Sequence, residues 1–183
     1  MNLPNILTVS RIVLIPVFVV VFYLPVEWNY VVSALLFFLA GCTDWLDGYL
    51  ARKLDQSTPF GAFLDPVADK LMVTMSLAVI IGSYHLIWVT VPAMIIIGRE
   101  IVVSALREWM AEQGKRENIS VSFIGKFKTM CQMGSIMLLL LGPESSWFFW
   151  SGIIFIYFAS ALTIWSMYQY LTASWVHLFA GEN

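Results

Sequence analysis

Four aspartates stand in two pairs at helical spacing, and their chemistry suits divalent metals and phosphoryl groups. Asp44 and Asp47 are three residues apart, and Asp65 and Asp69 are four apart, so each pair projects from one face of a helix. Four converging carboxylates repel unless cations neutralise them. Because no His or Cys lies between Asp44 and Asp69, hard ions such as magnesium, manganese or calcium are favoured over zinc. Two such ions would clamp the attacking and leaving oxygens of a phosphoryl transfer.

Small and basic residues accompany the aspartates. Gly48 and Gly61 leave room for a ligand or a backbone to approach, although small residues also serve plain helix packing. Arg52 is placed to reach a diphosphate or to extend into lipid headgroups. The alternative for the aspartates is helix capping, with Asp65 before Pro66 at the start of a helix, and pairing with Arg52 and Lys70. Four acids on two adjacent membrane helices favour function instead.

The elements that position these residues are membrane helices. Of the 183 residues, 60% are hydrophobic and 12% are charged, against about 25% charged in average soluble domains. This balance excludes a disordered chain and disfavours a water-soluble globule. The formal net charge of −2 provides no basic field for nucleic acid. We therefore predict an all-α, polytopic membrane protein with a single catalytic domain over residues 1–183.

Six apolar segments are candidates for the spans, and breaks of turn-forming residues separate them. Their predicted limits are 6–24, 30–51, 65–84, 88–107, 124–142 and 147–172.

The basic residues predict the orientation. The ten Lys and Arg residues avoid the short connections at 25–29, 82–90 and 142–147. Because Lys and Arg mark the cytoplasmic side of short loops, both termini and the aspartates should face the cytoplasm. Trp28, Trp88 and Trp147 lie near the outward ends, as in an aromatic belt. Arg11 and Arg99 fall inside spans, which this rule does not explain.

The aspartates belong to a longer pattern that resembles a known signature. The pattern is Asp44, two residues, Asp47, Gly48, two residues, Ala51, Arg52, eight residues, Gly61, three residues, Asp65, three residues, Asp69. It matches in full the signature of the CDP-alcohol phosphatidyltransferase family. The run from Pro4 to Arg11 resembles the entry segment of the family. Three further stretches resemble the bacterial phosphatidylglycerophosphate synthase branch, namely Gly61 to Lys70, Arg99 to Arg116 and Gly125 to Thr129.

This resemblance implies a CDP-alcohol phosphotransferase fold of six transmembrane helices, usually as a homodimer in the bacterial cytoplasmic (inner) membrane. It implies transfer of the phosphatidyl group from CDP-diacylglycerol to sn-glycerol 3-phosphate, which gives phosphatidylglycerophosphate and CMP. It further implies that Asp44, Asp47, Asp65 and Asp69 hold two Mg²⁺ or Mn²⁺ ions, with Asp69 also the catalytic base. The residues assigned by the resemblance to the CDP part of the donor are Asn5, Thr8, Gly48, Arg52, Thr58 and Gly61.

The phosphate of the acceptor calls for fixed cations. Our hypothesis is that Arg99, Arg107 and Lys126 bind it, because Arg suits bidentate phosphate contact. For Arg107 and Lys128 the favoured alternative is the orientation signal and headgroup contact. Arg99 is deeper, so it needs a ligand or a partner such as Glu100.

Three other functions compete with this prediction. A sibling enzyme could use another alcohol, such as serine or inositol phosphate, and the metal motif does not separate the two. A small cation or proton transporter is disfavoured, because the acids cluster near one membrane face rather than along a path. A structural membrane protein would leave the four aspartates unexplained.

Overall fold

The computed structural model describes residues 3–54, 58–112 and 123–179, and within these ranges the chain forms six helices and no strand. The all-α prediction is confirmed. Each helix overlaps one of the six predicted segments. The helices are α1 (Leu3–Tyr23), α2 (Asn29–Leu54), α3 (Pro59–Tyr84), α4 (Ile87–Glu112), α5 (Phe123–Leu140) and α6 (Trp147–Phe179).

The surface of the bundle is apolar enough for a lipid environment. Four stretches are long and apolar enough to cross a membrane, and the chain is therefore a multi-pass membrane protein. They are Asn5–Tyr23, Asn29–Gly48, Ile87–Met110 and Trp147–Gln169, and Phe127–Leu140 is a shorter apolar helix. Large apolar side chains such as Ile87, Phe63 and Trp147 lie exposed on the outside. The count of six spans stays a prediction.

The start of α3 differs from the prediction. The helix begins at Pro59 rather than at residue 65, so the expectation that Asp65 caps it is wrong. Thr58 is the N-cap, with extended backbone, and its hydroxyl accepts a hydrogen bond from the Gly61 N–H at 3.0 Å. Pro59 at the first helical position suits its fixed φ and missing N–H. Asp65 and Pro66 therefore lie inside the helix.

Two groups of helices build the core. α1 packs against α2 and α3, α6 packs against α4 and α5, and contacts of α3 with α4 and of α5 with α2 and α3 join the groups. The fully buried side chains between them include Phe18, Leu77, Ile80, Ile96, Ile136, Leu140 and Ile156. At one end, the Tyr84 hydroxyl donates to the carbonyl oxygens of Leu139 at 2.7 Å and Gly142 at 2.5 Å. This contact ties the end of α3 to the end of α5.

The other end of the bundle carries the polar side chains, and we call it the polar end. It contains the first turns of α1, α3 and α5 and the later turns of α2, α4 and α6. Side-chain hydrogen bonds join α1 to α2 and α3, α3 to α4, α4 to α5, and α4 to α6 there. The functional candidates predicted from the sequence therefore share one end of the fold.

Candidate active site

Helix α1 links the two aspartate pairs. We call Asp44, Asp47, Asp65 and Asp69 the acidic cluster. The hydroxyl of Thr8, which is fully buried, lies 2.6 Å from Asp65 Oδ1 and 3.4 Å from Asp47 Oδ2. Carboxylates from α2 and α3 thus approach the same atom of α1. The predicted convergence of the two pairs is found in the structure for these members.

Within the described part of the chain, Arg11 forms ion pairs with two members of the acidic cluster. Its Nη1 donates to Asp44 Oδ1 at 2.7 Å, and its Nη2 donates to Asp47 Oδ2. The side chain is 1% exposed, so both ion pairs end on a guanidinium removed from solvent. The sequence analysis left Arg11 without a role. Its spacing of three from Thr8 and six from Asn5, in an otherwise apolar helix, was the signal for a polar face on α1.

Asp69, the predicted base, is exposed, and it is close enough to interact electrostatically with Asp44, with Arg11 and with Glu100 of α4. The neighbouring Lys70 donates to the Ser104 hydroxyl of α4. Lys70 also interacts electrostatically with Asp69, so the considered alternative in which Lys70 pairs with an aspartate stays open.

The donor atoms of the acidic cluster fit a hard divalent ion by chemistry. Carboxylate oxygens from two helices, with the Thr8 hydroxyl among them, are ligands that Mg²⁺ and Mn²⁺ accept. Within the described ranges, however, no group of three or more His, Cys, Asp or Glu side chains stands in a geometry that could hold an ion. Arg11 and Thr8 engage the oxygens instead. Closing these carboxylates around an ion therefore requires side-chain rearrangement.

Three residues predicted to bind the CDP part of the donor meet where α3 begins. The Thr58 hydroxyl donates to Asn5 Oδ1 at 3.0 Å while it accepts from the Gly61 N–H. A Cβ at Gly61 would lie 2.7 Å from Asn5 Oδ1, so glycine permits this close approach of α1 and α3. Gly48 is half-buried on α2. The side chain of Arg52 lies outside the described part of the chain.

A second group of buried charge joins α4, α5 and α6. We call Arg99, Glu100, Lys128 and Ser166 the basic cluster. Arg99 Nη1 donates to Glu100 Oε1 at 2.9 Å, and its Nη2 donates to Ser166 Oγ at 3.1 Å. Lys128 Nζ donates to the same Glu100 oxygen at 3.0 Å. The expected partnership of Arg99 with Glu100 is confirmed.

Lys128 is a residue that the sequence analysis placed wrongly. We expected headgroup contact, but its side chain is 5% exposed and paired with Glu100. Its position one turn before the polar, buried Gln132 was the available signal. Of the other acceptor candidates, Arg107 lies on α4 and Lys126 on α5, and their side chains lie outside the described part of the chain.

An apolar groove opens between α2 and α5. Its volume is about 750 Å³. Gly41 and Gly134 leave space in it, and Leu46 belongs to the same helical turns as Asp44 and Asp47. The full lining is Phe37, Phe38, Gly41, Cys42, Leu46, Met130, Met133, Gly134 and Met137. This surface offers hydrocarbon contact on another face of the α2 turns that carry Asp44 and Asp47.

Comparison with known proteins tests the family resemblance. The family model described as CDP-alcohol phosphatidyltransferase matches residues 1–165. The chain belongs to the CDP-alcohol phosphatidyltransferase family. This membership confirms the resemblance drawn from the aspartate signature, and enzymes of the family generally use divalent metal ions.

Curated relatives narrow the similarity further. A protein of Salmonella typhimurium is 54% identical over 173 residues, which cover 94% of each chain. Proteins of Yersinia pestis and Yersinia pseudotuberculosis are 52% identical over 178 residues, which cover 97% of each chain. All three bear the name CDP-diacylglycerol–glycerol-3-phosphate 3-phosphatidyltransferase.

Proposed function

We propose that the protein transfers the phosphatidyl group of CDP-diacylglycerol to sn-glycerol 3-phosphate, with release of phosphatidylglycerophosphate and CMP. The observation that carries the proposal is the adjacency of an acidic cluster and a basic cluster at one end of a membrane bundle. The acidic cluster suits the metal-bound diphosphate of the donor, and the basic cluster suits a phosphorylated acceptor. Identity above half to relatives with this name supports the same substrates.

In this proposal the acidic cluster holds the donor. Two divalent ions, Mg²⁺ or Mn²⁺, held by Asp44, Asp47, Asp65 and Asp69, would neutralise the diphosphate and the departing CMP. Asn5, Thr8, Gly48, Arg52, Thr58 and Gly61 are the proposed contacts to the CDP part. The hydrogen bond between Thr58 and Asn5 holds the first turn of α3 against α1. It also keeps the Asn5 side chain close to Gly61.

Asp69 is the proposed base. It takes the proton from the acceptor hydroxyl as that oxygen attacks the phosphatidyl phosphorus in line with the departing CMP. The bond from phosphorus to the bridging oxygen of CMP breaks in the same step. Its electrostatic interactions with Asp44 and with Glu100 of the basic cluster support this role. Arg99, with Arg107 and Lys126, is proposed to hold the phosphate of the acceptor.

The groove between α2 and α5 is proposed to receive an acyl chain of the donor. A diacylglycerol donor needs hydrocarbon contact within reach of its own diphosphate. The groove supplies that contact at the level of Asp44 and Asp47 along α2, and its lining is almost wholly apolar.

The proposal includes a membrane orientation and an oligomeric state. The scarcity of Lys and Arg at the opposite end supports a cytoplasmic polar end in a bacterial inner membrane, with both termini on that side. In a variant lacking Cys42 and Cys131, a new cysteine at Lys115 should react with an impermeant maleimide from the cytoplasmic side. One at Glu27 should react from the other side, and the reverse pattern would reject the orientation.

A homodimer, as the family resemblance implies, is tested by light scattering in detergent.

The decisive experiment measures CMP release by the purified protein in detergent. It receives CDP-diacylglycerol, Mg²⁺ or Mn²⁺, and a panel of alcohols that includes serine, inositol phosphate and sn-glycerol 3-phosphate. We expect release with sn-glycerol 3-phosphate alone. Release with another alcohol instead would assign a sibling activity, and no release by folded protein with any alcohol would reject the proposal.

A further inference from the structure

Arg11 stands out as a buried cation inside a membrane helix. Its side chain is 1% exposed, and both terminal nitrogens donate to carboxylates of α2. Its Nε is buried and makes no hydrogen bond within the described structure. A buried guanidinium is tolerated in a membrane helix when carboxylates compensate its charge, and here Asp44 and Asp47 do so.

The carboxylates that compensate Arg11 belong to the proposed metal site. Asp44 Oδ1 and Asp47 Oδ2 accept from Arg11, so an ion must share or take over these oxygens. A fixed positive charge beside the ligands also lowers the affinity for any cation, and this effect is large where water is excluded. Arg11 therefore affects metal binding by both contact and charge.

The net charge of the acidic cluster and Arg11 indicates that two ions bind tightly only when the donor is present. The four carboxylates and Arg11 together carry three negative charges, one fewer than the positive charges of two divalent ions. A second ion would leave the site positive without a donor. The negative diphosphate of a bound donor cancels this excess positive charge. The donor therefore favours binding of the second ion, which Arg11 opposes.

We infer that Arg11 is a positioning residue and resident countercharge that holds Asp44 and Asp47 in place without metal and weakens metal binding until the donor is present. The inference rests on the proposed function, because it takes the acidic cluster as the metal site. Arg11 acts through the two aspartates and does not itself touch the reacting atoms.

The test measures Mn²⁺ binding to the detergent-solubilised, chelator-stripped protein by electron paramagnetic resonance, in the absence of donor. Arg11→Gln should raise the affinity for Mn²⁺ about tenfold, because a charge next to the ligands is removed. Arg11→Lys keeps the charge and should stay within about twofold of the original protein. Arg99→Gln, the same change in the basic cluster, is the matched control and should also stay within about twofold.

A stability measurement separates positioning from charge. Without metal, Arg11→Gln should melt at a lower temperature than the original protein, because Asp44 and Asp47 then repel. Added Mn²⁺ should raise its melting temperature more than it raises that of the original protein. If Arg11 had only a structural role, Arg11→Gln would lower both the stability and the affinity for Mn²⁺. Lower stability together with higher Mn²⁺ affinity therefore identifies Arg11 as a countercharge.

A double variant keeps the test valid if Arg11→Gln fails to fold. Asp44→Asn alone should weaken Mn²⁺ binding. Adding Arg11→Gln to it removes the ion pair as a unit, and the double variant should bind Mn²⁺ about tenfold more tightly than Asp44→Asn alone. Unchanged or weaker binding in the double variant would overturn the inference.

The remaining outcomes are equally distinct. Two results overturn the role of Arg11 but not the metal site. In one, Arg11→Gln folds yet binds Mn²⁺ no more tightly than the original protein; in the other, Arg11→Lys binds Mn²⁺ as tightly as Arg11→Gln. The metal site itself then still stands if the original protein binds Mn²⁺ and Asp65→Asn does not. An original protein that binds no Mn²⁺ at all, with or without CDP-diacylglycerol, overturns the proposed metal site together with the inference.

Discussion

The acidic cluster and the basic cluster lie at the same end of the bundle, yet they hold opposite excess charge. In the first, Arg11 partly compensates four aspartates. In the second, Glu100 partly compensates Arg99 and Lys128. Buried charge in a membrane protein is costly unless it is paired, and the pairing here is incomplete: three negative charges remain in the acidic cluster and one positive charge remains in the basic cluster. The residual sign of each then suits a ligand of the opposite sign, cations in one and a phosphate in the other.

The junction between the clusters is equally informative. Asp69 interacts with charges of both clusters, and Lys70 joins α3 to α4 through Ser104. The two clusters therefore belong to one polar region rather than to two separate sites. Variants in the acidic cluster should therefore change turnover or the KM for the donor, whereas variants in the basic cluster should change the KM for the acceptor.

The largest effect is expected at the junction. Asp69→Asn should lower turnover about a thousandfold, because the proposed base is lost while the shape of the side chain stays the same. CMP release measures turnover, and binding of the donor should persist. Glu108→Gln, on the exposed side of α4, is the control with unchanged activity. Turnover within tenfold of the original protein would remove Asp69 from the role of base.

The next effect separates the basic cluster from the acidic one. Arg99→Ala should raise the KM for sn-glycerol 3-phosphate about 30-fold and leave the KM for CDP-diacylglycerol nearly unchanged. Lys115→Ala is the control for a loss of positive charge elsewhere. Equal changes in both KM values would show that the two clusters do not divide the substrates between them.

A smaller effect is expected where α1 meets α3. Gly61→Ala places a methyl group 2.7 Å from Asn5 Oδ1 and 3.2 Å from Thr58 Oγ1, so the Asn5 side chain must move and its contact with Thr58 is disturbed. The KM for the donor should rise about tenfold, since small displacements of positioning groups are costly. Gly98→Ala on α4 is the matched control, because a Cβ there meets nothing within 4 Å. An equal response of the two variants would contradict a role for this contact.

The smallest effect concerns the apolar groove between α2 and α5. Gly134→Leu has space to fold, because a Cβ at Gly134 meets nothing within 4 Å, but its side chain fills the groove. The KM for a long-chain donor should rise about fivefold, and a short-chain donor should be affected less, because less hydrocarbon contact is lost. Gly98→Leu, on the exposed face of α4, serves as the control. The same response to both chain lengths would place the acyl chains elsewhere.

Much of the candidate site was predictable because helices convert spacing into position. The intervals of three and four between the aspartates fix each pair on one face before any packing is known. The apolar segments likewise predicted six helices, and the exception was the start of α3. There the cap by Thr58 and the proline after it outweigh the proline inside the helix.

The partners of the buried charges were not predictable, because they come from helices far apart in the sequence. Thr8 meets Asp65 across 57 residues, and Arg99 meets Ser166 across 67. Lys128 was expected at the headgroups because the orientation rule treats every basic residue alike, whereas the fold buries it and pairs it with Glu100 of α4.

The sequence by itself determined the apolar helices, the aspartate signature and the family, since these depend on composition and local spacing. Tertiary structure decided which cation meets which carboxylate. In a medium without water to neutralise isolated charge, that choice depends on which helix faces lie in contact, and packing sets those faces. The placement of Arg11 between Asp44 and Asp47 follows from this packing.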